Sequence, residues 1–215
     1  SRLSKQDHKE SHKQDACVAD GYIYFNYNEP IETHKRNLPH WEQENKAYFV
    51  TFRLYDSIPK DAAENIKRKR ENWRKENKIE SKSDLYKLDN ERQMEYHRLF
   101  SKRYDKLLDN NYGSCVLVNP NCKQIVEDAI IYFNNDRYYL DKYVIMPNHV
   151  HIIVIPKDKW TLSQIMHSWK SYTANKINKI LRRKGELWMH ESFDHIIRSP
   201  KQLERIRKYI EDNPM

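Results

Sequence analysis

The stretch "YYLDKYVIMPNHVHIIVIP", residues 138–156, reads as two β-strands joined by a tight turn at its "MPN". Strand side chains alternate faces, so His149 and His151 leave one face together and Val150 leaves the other. Two neutral imidazoles placed side by side are half of a metal site or, more often for such spacing, two half-exposed strand residues with ordinary hydrogen-bond partners. Ten histidines in 215 residues make a His-x-His pair nearly expected by chance, so the pair needs company before it implies chemistry.

The ending "SPKQLERIRKYIEDNPM", residues 199–215, is the candidate for that company. Ser199 is a good N-cap, Pro200 suits the first helical position, and Gln202 is spaced to close a capping box. Leu203, Ile206 and Ile210 repeat as a buried stripe. Tyr209 and Asn213, four residues apart, share one flank of that stripe. Docked by its stripe, the helix would aim both side chains along the sheet surface. Without that neighbour, Tyr209 reads as an amphipathic residue at a core margin.

Working outward, "AYFVTFRLYDSIP" predicts a strand ended by Pro59, "GSCVLV" a short strand, and "NPNCKQIVEDAIIYFNN" a helix. "TLSQIMHSWKSYTANKINKILRRKG" is the clearest helix, with Thr161 and Gln164 at capping-box spacing and Gly185 at its stop. Its apolar stripe takes in Trp169 and Tyr172, and Tyr172 therefore reads as structural. "LWMHESFDHIIRS" supplies a further strand. Residues 60–111 are highly charged and helix-favouring, with an apolar stripe including Leu85, Leu88, Met94, Tyr104 and Leu107, and predict a helical insertion of two helices. Omitting the insertion, the order is strand, helix, strand, strand, helix, strand, helix. That is an α+β, ferredoxin-like (RRM-like) antiparallel sheet with packed helices, a split βαβ with one helix appended. Residues 1–36 read as a polar tail and an extended aromatic arm, and residues 37–215 as the domain itself.

The composition narrows the function. Only 3 glycines occur, and neither a Gly-rich dinucleotide loop nor a Walker loop is present. Cys17, Cys115 and Cys122 have no paired spacing, which predicts a reducing compartment and no thiolate zinc site. No apolar run is long enough to span a bilayer and no signal peptide is visible, so the expected location is cytoplasmic. The net charge of +8, with 15 tyrosines and 5 tryptophans, favours a nucleic-acid partner over a merely solvated basic surface. The basic run around Trp73, including Lys67 and Arg70, fits a DNA contact and a solvated helix face equally well.

Taken together, "MPNHVHIIV", the Trp-containing helix after it and "FDHIIRSPKQLERIRKYIEDNP" resemble the single-tyrosine HUH transposases. Among these, the similarity is greatest to the REP-associated tyrosine transposases. The upstream "LPHWEQENKAYFVTFRLYDSIP" fits the same group, so the resemblance spans roughly residues 37–214. It implies an HUH endonuclease fold. By position, it makes His149 and His151 the histidine pair, Tyr209 the nucleophile and Asn213 the third metal ligand, with Mg²⁺ or Mn²⁺ as the cofactor. Rolling-circle replication proteins share the pair but commonly carry Lys three residues after the tyrosine. Asp212 occupies that position here, which favours the transposase branch.

The implied activity is metal-dependent endonuclease and strand transfer on single-stranded DNA at hairpin-forming repeats, through a covalent 5′-phosphotyrosine. The alternative is a non-catalytic, domesticated binder of single-stranded or hairpin nucleic acid on the same sheet. The protein is expected to be a monomer or homodimer, associated with the nucleoid when DNA-bound. Lys170, Arg182 and Arg183 are candidate phosphate contacts, and His195 and Arg198 candidate substrate contacts; each is also consistent with an ordinary surface residue. The insertion is expected to aid DNA recognition or keep the protein monomeric. Relatives usually continue past the Asn-Pro at which this chain stops, so a shortened chain is expected.

Overall fold

The computed structural model describes residues 24–213, apart from 27, 31, 36–38, 81–83, 86–87, 97–98 and 101. The polar tail expected at residues 1–20 lies outside the described residues. Strands β1 (Glu32–Lys35) and β2 (Pro39–Glu42) pair as a small antiparallel ribbon. This pairing crosses the expected boundary between arm and domain at residues 36 and 37. The arm before the ribbon is anchored at the main sheet, where Phe25 N donates to Ile197 O at 2.9 Å.

The main sheet contains β3 (Tyr48–Arg53), β4 (Tyr138–Ile145), β5 (His149–Pro156) and β6 (Phe193–Ile196), antiparallel throughout in the order β4-β5-β3-β6. Numbering just these strands in sequence gives the order 2-3-1-4, which is the ferredoxin-like arrangement. The two central strands, β3 and β5, are buried along their whole length, as continuous runs of β-branched and aromatic residues require.

Helices α4 (Pro120–Ile131) and α5 (Leu162–Ile180) cover one face, where Val50, Phe52, Val150, Ile152 and Val154 meet Val126, Ile130, Ile165 and Trp169. Trp169 Nε1 donates to Tyr138 Oη at 3.0 Å, and Tyr138 Oη donates to Ile130 O at 2.7 Å. One hydrogen-bonded line thus ties α5, β4 and α4 together inside the core. Helix α6 (Pro200–Glu211) covers part of the other face through Leu203, Ile206 and Ile210 against Phe49, Val144 and Ile153.

Local signals set most element starts. Thr161 and Gln164 form the expected reciprocal capping box, and the Asn119 side chain accepts from Asn121 N ahead of Pro120. Ser199 caps α6 as expected, but the Gln202 side chain accepts from Arg198 N at 2.8 Å, one residue short of closing a capping box. Three expectations change. "GSCVLV" is not a strand: Cys115 adopts a left-handed backbone and Val116–Val118 make one 3-10 turn, because Asn119 must at once begin the next helix. The α5 stop falls before Gly185, with Arg182 taking the positive φ of 50°. Tyr172 is half exposed, so the buried stripe of α5 is narrower than its sequence suggests.

The segment after β3 carries α1 (Lys60–Glu76), α2 (Asn90–Tyr96) and α3 (Lys102–Asp109), more helix than the expected pair. Ile66, Trp73, Ile79 and Phe100 form a core of their own there, with Leu85, Leu88 and Leu107 against it. The side chains of Met94 and Tyr104, expected in this stripe, lie outside the described residues. Among the described residues, no helix is long and apolar enough to cross a membrane.

Truncating Trp169 to Ala removes the largest fully buried side chain and leaves the Tyr138 hydroxyl without its donor. We expect a loss of about 3–5 kcal/mol in urea denaturation, against about 1–3 kcal/mol for Trp169→Phe, which keeps most of the packing.

Candidate active site

Antiparallel pairing sets Thr51 opposite His151 and Arg53 opposite His149. All four side chains project from the sheet face that α6 partly covers. His149 and His151 are 0% and 1% exposed, and their Nε2 atoms lie 3.0 Å apart. Each ring is held by its other nitrogen: His149 Nδ1 is 2.7 Å from Asn148 Oδ1, and His151 Nδ1 is 2.8 Å from Thr51 Oγ1. Phe49 stacks on His151 with ring centroids 5.5 Å apart.

Helix α6 brings the tyrosine. Tyr209, half-buried beside the Ile206–Ile210 stripe, places its hydroxyl 3.2 Å from His151 Nε2, and its ring meets Phe49 edge-on. The helix is tied to β4 by Arg207 Nε, which donates to Asp141 Oδ2 at 2.8 Å, with both side chains mostly buried. A second pair joins Lys142 to Glu211 at 3.0 Å. Burial pushes the Asp141 carboxyl up by more than the guanidinium holds it down. Burial acts against the Arg207 charge too, but its bonds to Asp141 and Glu204 outweigh it and hold that group up, so the link orients α6 against β4.

Burial also sets the protonation state of the pair. It lowers His149 to about 4, and it lowers His151 well below the usual histidine value, with the neighbouring His149 adding to the effect. Both imidazoles are therefore neutral near pH 7, the form that offers lone pairs to a cation. Among the described residues, no cluster of three His, Cys, Asp or Glu gathers here or elsewhere. Any third donor beside the pair would have to be of another kind. Asn213, one turn beyond Tyr209, has a buried Nδ2 with no hydrogen-bond partner, so its carboxamide is not committed to the fold through that atom. Two imidazoles and a carboxamide are a donor set that suits a divalent cation.

The other expected contacts are scattered. His195 shares the site's face: its ring lies 5.5 Å from Phe49 and its Nε2 is 3.3 Å from Gln202 Nε2. Arg198 is exposed and lies over Phe25. Lys170 is on α5, which packs the opposite face, and its Nζ donates to the carbonyls of Met189 and His190. Arg182 is exposed at the end of that helix, and Arg183 donates to Glu186 O. Lys67 and Arg70 lie on α1. Trp73 is 7% exposed in the insertion's own core, where it meets Tyr96 and Phe100, so its faces are already covered. Sequence reasoning passed over Thr51, Asn148 and Phe49. Asn148 had a local signal as the residue preceding the pair, whereas Thr51 and Phe49 have none, because only cross-strand register brings them to the histidines.

The architecture defines a class: a ferredoxin-like sheet with two buried imidazoles on one strand and a helix-borne tyrosine hydroxyl against them. A sequence model of the family described as "Transposase IS200 like" matches residues 90–213, more than half of the chain. The chain belongs to the IS200-like transposase family. An uncharacterised protein of Haemophilus influenzae is 30% identical in an alignment of 114 residues that covers 43% of this chain and 62% of that protein. The chain thus spans less than two thirds of that relative. A solved structure of a REP-associated tyrosine transposase bound to a REP hairpin matches over 85% of this chain and 73% of its own, at 16% identity and a TM-score of 0.47. A crystal structure from Deinococcus radiodurans matches over 83% of this chain and 95% of its own, at 11% identity and a TM-score of 0.32.

The depressed histidine values predict a pH dependence of stability. Unfolded His149 takes up a proton near pH 6.5, whereas folded His149 resists until about pH 4. Stability is therefore fully present above pH 6.5 and is lost as pH falls from there to about 4. At 1.36 kcal/mol per pH unit, the loss from His149 is about 3 kcal/mol. Denaturant unfolding of the metal-free protein across this window should show that loss. The His149→Gln variant should show a correspondingly shallower one.

Proposed function

We propose that this chain is a metal-dependent single-stranded DNA endonuclease and strand transferase with Tyr209 as its nucleophile. The observation that carries this reading is the 3.2 Å approach of the Tyr209 hydroxyl to His151 Nε2, across 58 residues of sequence. A tyrosine at a core margin has no need of that neighbour, whereas a nucleophile must sit beside the groups that bind its phosphate.

His149, His151 and Asn213 would hold the cation, Mg²⁺ or Mn²⁺ by family resemblance. When bound, the cation withdraws charge from the scissile phosphate and offsets the charge that builds up during its displacement. Tyr209 Oη attacks phosphorus, forming the Oη–P bond, and the P–O3′ bond breaks. The phenol gives up its proton, the leaving 3′ oxygen gains one, and the 5′ phosphate stays on the tyrosine. One phosphoester replaces another, so the 3′ hydroxyl of a second strand can reverse the step without ATP.

Other residues orient the participants. The Arg207–Asp141 link holds α6 against β4, and Phe49 lies against both His151 and Tyr209. Because the histidines are buried, an incoming strand must displace the side chains over them. A single chain supplies both the histidine pair and the tyrosine, which supports cleavage within a monomer; a homodimer is the alternative.

The net charge of +8 supports a polyanionic partner, and the resemblance points to hairpin-forming repeats in single-stranded or hairpin DNA. A cytoplasmic protein that joins the nucleoid on binding fits this chemistry. Lys170, Arg182, Arg183, His195, Arg198, Lys67 and Arg70 remain candidate backbone contacts under this reading.

The test is to incubate labelled hairpin oligonucleotides with the protein and Mg²⁺ or Mn²⁺, then resolve the products on denaturing gels. A metal-dependent covalent protein–DNA adduct is expected, absent in Tyr209→Phe and strongly reduced in His149→Ala and His151→Ala. Binding without an adduct under either metal would replace the enzyme reading with that of a non-catalytic binder.

A further inference from the structure

The orientation of the Asn148 carboxamide is fixed by its surroundings. Nδ2 lies 3.2 Å from Leu108 O and 3.1 Å from Tyr112 O, and a carbonyl oxygen only accepts. Both amide protons are therefore taken up at the end of α3 and in the loop after it. The atom left facing His149 Nδ1, at 2.7 Å, is Oδ1. An amide oxygen has no proton to give, so His149 carries its proton on Nδ1 and presents a lone pair at Nε2.

We propose that Asn148 is a positioning residue that locks His149 in the Nδ1–H tautomer, and that the exit of the helical insertion, through Leu108 and Tyr112, holds Asn148 in the orientation that does so. The tautomer lock follows from hydrogen-bond logic alone. Its value to the protein rests on the reading of His149 as a metal ligand.

Burial makes the arrangement hard to reverse. Asn148, His149 and Leu108 are all 0% exposed, so no water replaces a lost partner. A flipped amide would set its oxygen against two carbonyl oxygens and leave both of those acceptors without a donor. The loop carrying Tyr112 is pinned as well. Gly113 has a φ of +89°, and a Cβ there would lie 2.4 Å from Asp56 O. Ser114 N donates to Asp56 Oδ2 at 2.8 Å. The insertion's exit is thus fastened both to the turn after β3 and to the residue preceding the histidine pair.

The two histidines are consequently unequal. With the His149 Nε2 lone pair facing His151 Nε2 at 3.0 Å, the proton between them belongs to His151 in the metal-free protein, so the Tyr209 hydroxyl, 3.2 Å from that same nitrogen, has no lone pair there to donate to. Thr51 then donates to His151 Nδ1 at 2.8 Å. For both Nε2 lone pairs to face one cation, only His151 changes tautomer. Thr51 permits this because a hydroxyl accepts as readily as it donates. His149 is the fixed half of the site and His151 the convertible half.

The full chain labelled with ¹⁵N-histidine, metal-free and near neutral pH, tests this through long-range ¹H–¹⁵N correlations of the imidazoles, with His149 assigned by its loss in His149→Gln. The expected spectrum shows His149 protonated at Nδ1 and bare at Nε2; protonation at Nε2 overturns the proposal. In Asn148→Leu, which is similar in size but has no acceptor, His149 should become a mixture of tautomers. Its affinity for Mn²⁺, read by titration, should fall about 10- to 100-fold. An unchanged His149 signature in a folded Asn148→Leu variant also overturns the proposal. If that variant does not fold, the wild-type spectrum alone decides. A wild-type protein with the Nδ1–H tautomer but no Mn²⁺ binding would sink the metal-ligand reading and leave the tautomer lock standing.

Discussion

The register between β3 and β5 is the constraint on which the rest of the site depends. It sets Thr51 opposite His151 and Arg53 opposite His149 while Val50 and Phe52 face the main core with Val150 and Ile152. Because side chains alternate, a slip of one residue would send both histidines into the apolar layer beneath α4 and α5. A bond just past the paired residues guards against it: Leu54 N donates to Asn148 O at 2.8 Å. With the register set, the face toward α6 receives the histidines, Thr51 and Phe49 as one group.

Burying two imidazoles is unfavourable unless their nitrogens are satisfied, and here each Nδ1 finds a side-chain oxygen. The same burial keeps both rings neutral. A structural histidine pair would need no more than this. What sets this pair apart is the convergence of both Nε2 atoms on each other, with a tyrosine hydroxyl beside one of them. Apolar contact and the Arg207–Asp141 link dock α6, and the docking brings the Tyr209 hydroxyl, otherwise at a core margin, beside the histidines.

The helical segment between β3 and α4 has two characters. Its centre is self-contained, with Trp73 spent on packing against Tyr96 and Phe100. Its exit is not: Leu108 and Tyr112 give their carbonyls to Asn148, and Gly113 sits against Asp56. An element that looks like an appendage in sequence therefore reaches the residue next to the histidines.

Local chemistry made much of this legible in sequence. Alternation placed His149 and His151 on one face, the helical repeat found Leu203, Ile206 and Ile210, and cap residues marked the starts of α5 and α6. Each of these signals acts over a few residues, which is why the strand and helix order could be read without a structure. Where local signals competed, the reading failed: Cys115 to Val118 had the composition of a strand but were needed for a turn into α4, and Tyr172 had the spacing of a core residue but stands half exposed with Lys176 over its ring. The tertiary structure alone decided that Thr51 and Asn148 hold the histidines, that Trp73 is buried, and that the Tyr209 hydroxyl meets His151. Those contacts join residues from one to 100 positions apart, and even the shortest, Asn148 to His149, takes its direction from carbonyls 36 and 40 residues away. Sequence spacing carries no record of cross-strand register or of which way a buried amide faces; packing and hydrogen-bond satisfaction in three dimensions determine both.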